Sequence, residues 1–349
     1  MPISDLTLDI SKFKKENIPL NTQAINTYLL NVGSKKPGEP KWWEIGAQAY
    51  RDLQDGGKTG WPAPTYRSPH GNDIAIPSME PGRPIKCRLV LPENKKPEGV
   101  FLYFHGGGHV LGHCDWFDDL LDIIAKDTKL AVISPEYRLA PENPFPAGSE
   151  DVYDVAEHIV DHAEQEYGGP LKFVGGESAG ATLTALTVLH LLEHKPDFAL
   201  SAAIMIYGLY DWSLLPSART WTNPLVMSSE NVKRFGDAHL SGRTPEQRRN
   251  PSISPIYHPF LQIPGSQMVK NGETKKEVKL PPALFLSGTQ DATLDDTVLM
   301  SFQWQLADGE ATVKFVEGAP HAFMLFGAER CEMTGTGHAI LTAFLKEKL

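Results

Sequence analysis

From residue 100 onward the apolar positions fall into short, nearly unbroken runs. These are Val100–Phe104 (VFLYF), Leu130–Ser134 (LAVIS), Leu171–Val174 (LKFV), Ala202–Tyr207 (AAIMIY), Ala283–Ser287 (ALFLS) and Thr312–Val316 (TVKFV). Runs of this length with little polar interruption suit strands covered on both faces. Between most of them the period becomes helical, at Trp116–Lys126, Ser149–Tyr167, Ala179–His194, Asp295–Leu306 and, at the end, Glu332–Lys348. Two more candidate strands, Pro64–Ser68 and Ile85–Leu91, precede the alternation. The pattern predicts an α/β protein with a mostly parallel eight-stranded sheet and helices on both faces.

Two regions break the rhythm. Residues 1–60 contain the amphipathic stretches KFKKENIPLNTQAINTYLL and KWWEIGAQAYRDLQ, each predicting a helix, and DGGKTGWPAP follows as a loop. Residues 208–262 carry aromatic side chains with little periodicity, and residues 264–279 (PGSQMVKNGETKKEVK) predict a polar surface loop. No internal repeat is visible. The expectation is a single domain over residues 1–349, with a cap over the sheet formed by about 1–60 and 208–262.

Composition narrows the function. The chain has 349 residues, 33 basic and 43 acidic side chains and a formal charge of −10. That balance disfavours nucleic acid as a partner, because phosphates need a basic face. No apolar stretch approaches the roughly 18 residues of a membrane span. The first residues lack the basic-then-apolar run of a signal peptide, so a cytoplasmic location is expected. Three cysteines, Cys87, Cys114 and Cys331, are too few and too odd for a disulfide scaffold.

Candidate chemistry gathers at the ends of the apolar runs. Gly176-Glu177-Ser178-Ala179-Gly180 follows LKFV and opens a helical pattern, the strand–turn–helix setting of a nucleophile elbow. The same pattern also fits a glycine-rich turn with Ser178 as helix N-cap. His105-Gly106-Gly107-Gly108 follows VFLYF and leaves backbone N–H groups bare, suited to an oxyanion or to a flexible turn. A serine needs a base, and the base an acid. His321 lies just past TVKFV and Asp291 just past ALFLS, in the order expected of a Ser–Asp–His triad on such a sheet. Asp295 is the rival acid. His190-Leu191-Leu192-Glu193-His194 has the form of an inverted zinc motif, but lacks a third ligand in context, so no metal is expected.

Together HGGG at 105–108, SPEYRLAPENPFPAG at 134–148, GESAG at 176–180, DATLDD at 291–296 and HAF at 321–323 resemble the hormone-sensitive-lipase-like (family IV) esterases of the α/β-hydrolase superfamily. The resemblance spans about residues 85–345, and YRLAPENPFP is especially specific to it. It implies the α/β-hydrolase fold with a helical cap. It also implies Ser178 as nucleophile, His321 as base and Asp291 as acid, with Gly107, Gly108 and Ala179 supplying the oxyanion hole. His109 stands where the family usually has an aromatic residue and Glu177 where Asp is common. With Trp212 of the cap segment, they are the candidate substrate-binding residues.

The function this implies is a serine carboxylic-ester hydrolase acting on a small or medium apolar ester, without metal or organic cofactor. A lactone, an acetylated secondary metabolite or an amide fits the same chemistry. A non-catalytic small-molecule receptor on the same fold is the alternative of another class. Receptors resembling this family lose the catalytic histidine, and His321 is present. The resemblance also allows a homodimer.

Overall fold

A computed structural model of the chain describes residues 8–33, 39–61, 63–93, 96–223, 225–262, 267–268, 276–277 and 279–349. Three short helices come first: α1 (Leu20–Tyr28), α2 (Trp42–Ile45) and α3 (Ala47–Asp55). The strands β1 (Gly71–Pro77), β2 (Pro84–Val90) and β3 (Val100–Phe104) follow, then α4 (Asp118–Thr128), β4 (Ala131–Pro135), α5 (Ala147–Glu166), β5 (Leu171–Glu177), α6 (Ala179–His194) and β6 (Ala202–Ile206). An insertion holds α7 (Pro216–Thr220), α8 (Ser229–His239), α9 (Pro245–Arg248) and α10 (Pro259–Gln262), with a two-residue pair β7 (Gln267–Met268) and β8 (Lys276–Glu277). The chain closes with β9 (Ala283–Gln290), α11 (Leu294–Leu306), β10 (Ala311–Pro320) and α12 (Glu332–Lys348).

The sheet has eight strands in the order β1-β2-β4-β3-β5-β6-β9-β10. Its first two pairings, β1 with β2 and β2 with β4, are antiparallel and all others parallel. The two-residue period of a strand splits its side chains between two cores. On β3, Phe101 and Tyr103 join Leu120, Leu121 and Ile124 of α4 and Phe344 of α12. Val100, Leu102 and Phe104 join Val152, Val155 and Ile159 of α5. Each such side chain contributes about 1.5–3 kcal/mol on full burial, which is why the run tolerates no charge. The outer edge of β10 is covered by the N-terminal segment: the Phe13 and Phe315 rings meet edge to face at 5.3 Å, and Asn26 donates to the Gly318 carbonyl at 2.8 Å.

Several expectations shift. Pro64–Ser68 is not a strand. Its polar groups are tied to the start of α4 instead: Ser68 N–H donates to Asp118 at 2.7 Å and Ser68 Oγ to Asp122 at 2.6 Å. The first strand is β1, whose mostly solvent-facing sequence GNDIAIP carries no apolar run. The first amphipathic stretch is helical only from Leu20, after Pro19, and is preceded by 3₁₀ turns at Ile10–Phe13 and Lys15–Asn17. The second is two helices interrupted at Gly46. The aperiodic insertion holds four helices and one 3₁₀ turn among its described residues. The predicted surface loop at 264–279 falls mostly outside the described residues.

Candidate active site

Because β3, β5, β6, β9 and β10 run parallel, their C-terminal ends share one edge of the sheet. Phe104 pairs with Gly176, Glu177 with Ile206, and Gln290 with Pro320. Ser178, Asp291, His321 and the glycine loop are each the next residues along, so the register alone gathers them.

Ser178 joins β5 to α6 at φ 55° and ψ −119°, a left-handed region that a non-glycine residue adopts only under constraint. The constraint is close packing of backbone on backbone. A Cβ at Gly180 would collide with the Phe104 carbonyl oxygen, so only glycine lets the start of α6 sit against the end of β3. The Ser178 N–H donates to the Ile206 carbonyl at 2.9 Å. Its side chain makes no N-cap hydrogen bond. The hydroxyl instead lies 2.8 Å from His321 Nε2.

On the far side of the ring, His321 Nδ1 lies 2.9 and 3.0 Å from the two oxygens of Asp291. Asp291 is fully buried. Its Oδ1 also accepts from the Thr293 N–H at 2.8 Å, with the Thr293 hydroxyl 2.9 Å away. Asp295, the rival acid, faces elsewhere and accepts from the Ser217 N–H of α7 at 2.8 Å.

The glycine loop follows β3. Gly107 and Gly108 have φ of 107° and 64°, the left-handed backbone that favours glycine. Among the described residues these two N–H groups, and that of Ala179 at the first position of α6, have no protein acceptor. His105 is wedged below. The Tyr137 hydroxyl donates to its carbonyl at 2.7 Å, and the Tyr137 ring stacks on its imidazole at 4.3 Å. Burial pulls the His105 imidazole down to about 4, so it is neutral there.

A cavity of about 400 Å³ opens over these groups. Ser178, Ala179, His321, Gly107 and Gly108 line its floor. Trp42, Trp43 and Trp61 from the N-terminal part and Trp212, Met227 and Phe235 from the insertion line its walls. The Trp42 and Phe235 rings stack at 5.2 Å and 20°, so the two inserted regions meet beside the glycine loop.

A family model described as the alpha/beta hydrolase fold matches residues 101–325. The chain belongs to this α/β-hydrolase family. An acetyl esterase of Salmonella choleraesuis is 28% identical over 322 residues, covering 89% of this chain and 91% of that protein. An AB hydrolase superfamily protein of Schizosaccharomyces pombe is 28% identical over 272 residues, 73% of this chain and 74% of its own. Among solved structures, a hyperthermophilic esterase from Pyrobaculum calidifontis superposes with a TM-score of 0.74 at 24% identity, covering 94% of this chain and 97% of that one. At that identity the superposition speaks for the fold. The resemblance to hormone-sensitive-lipase-like esterases, read from the motifs, holds, and the chain is a carboxylesterase-type hydrolase.

Within this hydrolase the three candidate substrate-binding residues fare differently. Trp212 lines the cavity. Glu177 borders it, but its carboxylate turns back to accept from the Gly106 N–H. His109 is not among the lining residues. It is 3% exposed and its ring stacks on His239 of α8 at 3.9 Å and 9°. Folding of the insertion over the glycine loop buries it, and burial, with His105 nearby, pulls its imidazole down to about 3.

The zinc-like pair is also engaged otherwise: His190 Nε2 lies 2.7 Å from Glu157, and the His190 and His194 rings stack at 4.1 Å. Among the described residues no three potential metal ligands converge, and no helix is long and apolar enough to cross a membrane. Sequence reasoning missed Thr293 and Phe235 altogether. Thr293 had a signal, since it falls inside the DATLDD motif; Phe235 had none.

Proposed function

We propose that this esterase works through an acyl-enzyme at Ser178. The observation that carries the reading is the 2.8 Å contact between Ser178 Oγ and His321 Nε2, backed by Asp291 on Nδ1. His321 takes the hydroxyl proton as Ser178 attacks the ester carbonyl carbon. Negative charge develops on the carbonyl oxygen, where the N–H groups of Gly107, Gly108 and Ala179 receive it; one such donor is typically worth about 2.7–4 kcal/mol of barrier. The imidazolium, oriented by Asp291, then protonates the leaving alcohol. Water, deprotonated by the same ring, attacks the acyl-serine and releases the acid. No step calls for a metal or organic cofactor.

The substrate in this reading is a small or medium apolar ester. The aromatic walls and the cavity volume favour it, and the name of the Salmonella relative favours a short acyl group. Segments 1–60 and 208–262 act as the cap that closes the cavity. A panel of nitrophenyl esters of graded acyl length, with lactones, sugar acetates and anilides, tests this. The expected result is highest kcat/KM on short-chain esters and none in Ser178→Ala. Preference for lactones or anilides would redirect the substrate class.

A further inference from the structure

One buried carboxyl beside the nucleophile takes no part in the steps above. Glu177 ends β5, is 1% exposed, and accepts a hydrogen bond from the Gly106 N–H through Oε1. A Cβ on Gly106 would collide with this carboxylate, so the absence of a side chain is what lets the two approach. From the opposite side the Phe235 ring lies on Gly108, and a Cβ there would meet it. The glycine loop is therefore held between a carboxylate and a ring. The ring belongs to the insertion, whereas the carboxylate belongs to the strand that presents Ser178. The carboxylate therefore ties the loop to the strand that ends at the nucleophile.

We propose that Glu177 is a positioning residue that fixes the N–H groups of Gly107 and Gly108 relative to Ser178 Oγ. This rests on the acyl-enzyme reading and deepens it. The carboxyl does not touch the reacting atoms; it acts through Gly106. It also faces His321 beyond the end of β10, with Tyr103 on β3, Tyr137 after β4 and Tyr207 after β6 as its other titratable neighbours. Burial pushes the carboxyl up to about 7, against the opposing pull of His321 and the Gly106 N–H.

The test compares Glu177→Asp and Glu177→Gln on a short-chain nitrophenyl ester. The shorter Asp draws the acceptor back by one methylene. A misplacement of about 1 Å near the reacting atoms costs up to roughly 100-fold, so kcat is expected to fall about 10–100-fold with KM within about threefold. The Gln places an amide oxygen at the original reach and is expected to recover kcat to within about fivefold of the parent. Parental kcat in the Asp variant overturns the proposal, as does a Gln variant as slow as Asp. Where Asp disturbs folding, Glu177→Ala replaces it, with the same loss of kcat at held KM expected and parental kcat overturning the proposal. Turnover persisting in Ser178→Ala overturns the acyl-enzyme reading instead, and this proposal with it.

Discussion

In the proposed triad Asp291 orients His321, and its own carboxylate is held twice by Thr293, through N–H and hydroxyl. Thr293→Val keeps the backbone donor and removes the hydroxyl. A hydrogen bond to a charged group contributes roughly 1.5–3 kcal/mol, so a kcat loss of about 10–150-fold at little-changed KM is expected; steady-state kinetics check it, and an unchanged kcat would contradict the role. His109 and His239 bear on stability rather than chemistry. Burial keeps both rings neutral in the folded chain, His109 at about 3 and His239 well below its ordinary value. Unfolded, each takes a proton below about 6.5. The unfolded chain then binds more protons, so the stability from these neutral rings is full above about pH 7 and drains away as the pH falls toward 3. His109→Phe removes one of them, and its melting temperature is expected to fall less steeply between pH 7 and 5 than the parent's. Parallel slopes would contradict a buried neutral ring. Ser178, Asp291 and His321 were legible in the sequence because each lies within about five residues of the end of an apolar run. The burial of His109 was not, because nothing near it in the chain shows that α8, some 130 residues on, folds back to bring His239 onto its ring.

At the level of elements, the N-terminal region and the insertion meet through aromatic side chains. Trp42 of α2 stacks on Phe235 of α8, and both line the cavity. Such pairs contribute about 0.5–1.5 kcal/mol beyond their buried area. Trp42→Ala should therefore raise KM for short-chain esters by roughly two- to tenfold and narrow the preference between short and medium acyl chains. Kinetics across an acyl series reads this out, and an unchanged series would place the substrate away from that wall. The central strands were legible because parallel strands buried on both faces carry few polar interruptions. β1 was not, because it is an antiparallel edge strand with most side chains in water, and GNDIAIP shows no apolar run. The insertion read as aperiodic because three of its four helices, α7, α9 and α10, have five, four and four residues, too few to display a period; only α8, with eleven, is long enough.

For the whole molecule, the sheet does what no single motif can. Parallel strands deliver Ser178, Asp291, His321 and the glycine loop to one edge, and the N-terminal region and the insertion wall the cavity above them. The motifs implied this assembly through spacing and order, whereas the closeness of 178 to 321 is a property of the folded sheet. The central claim is that Ser178 is an activated nucleophile, and covalent labelling with a fluorophosphonate tests it most directly. One adduct per chain is expected, on the peptide holding Ser178, lost in Ser178→Ala and strongly slowed in His321→Ala. A parent chain left unlabelled, or an adduct elsewhere that survives Ser178→Ala, would contradict the account.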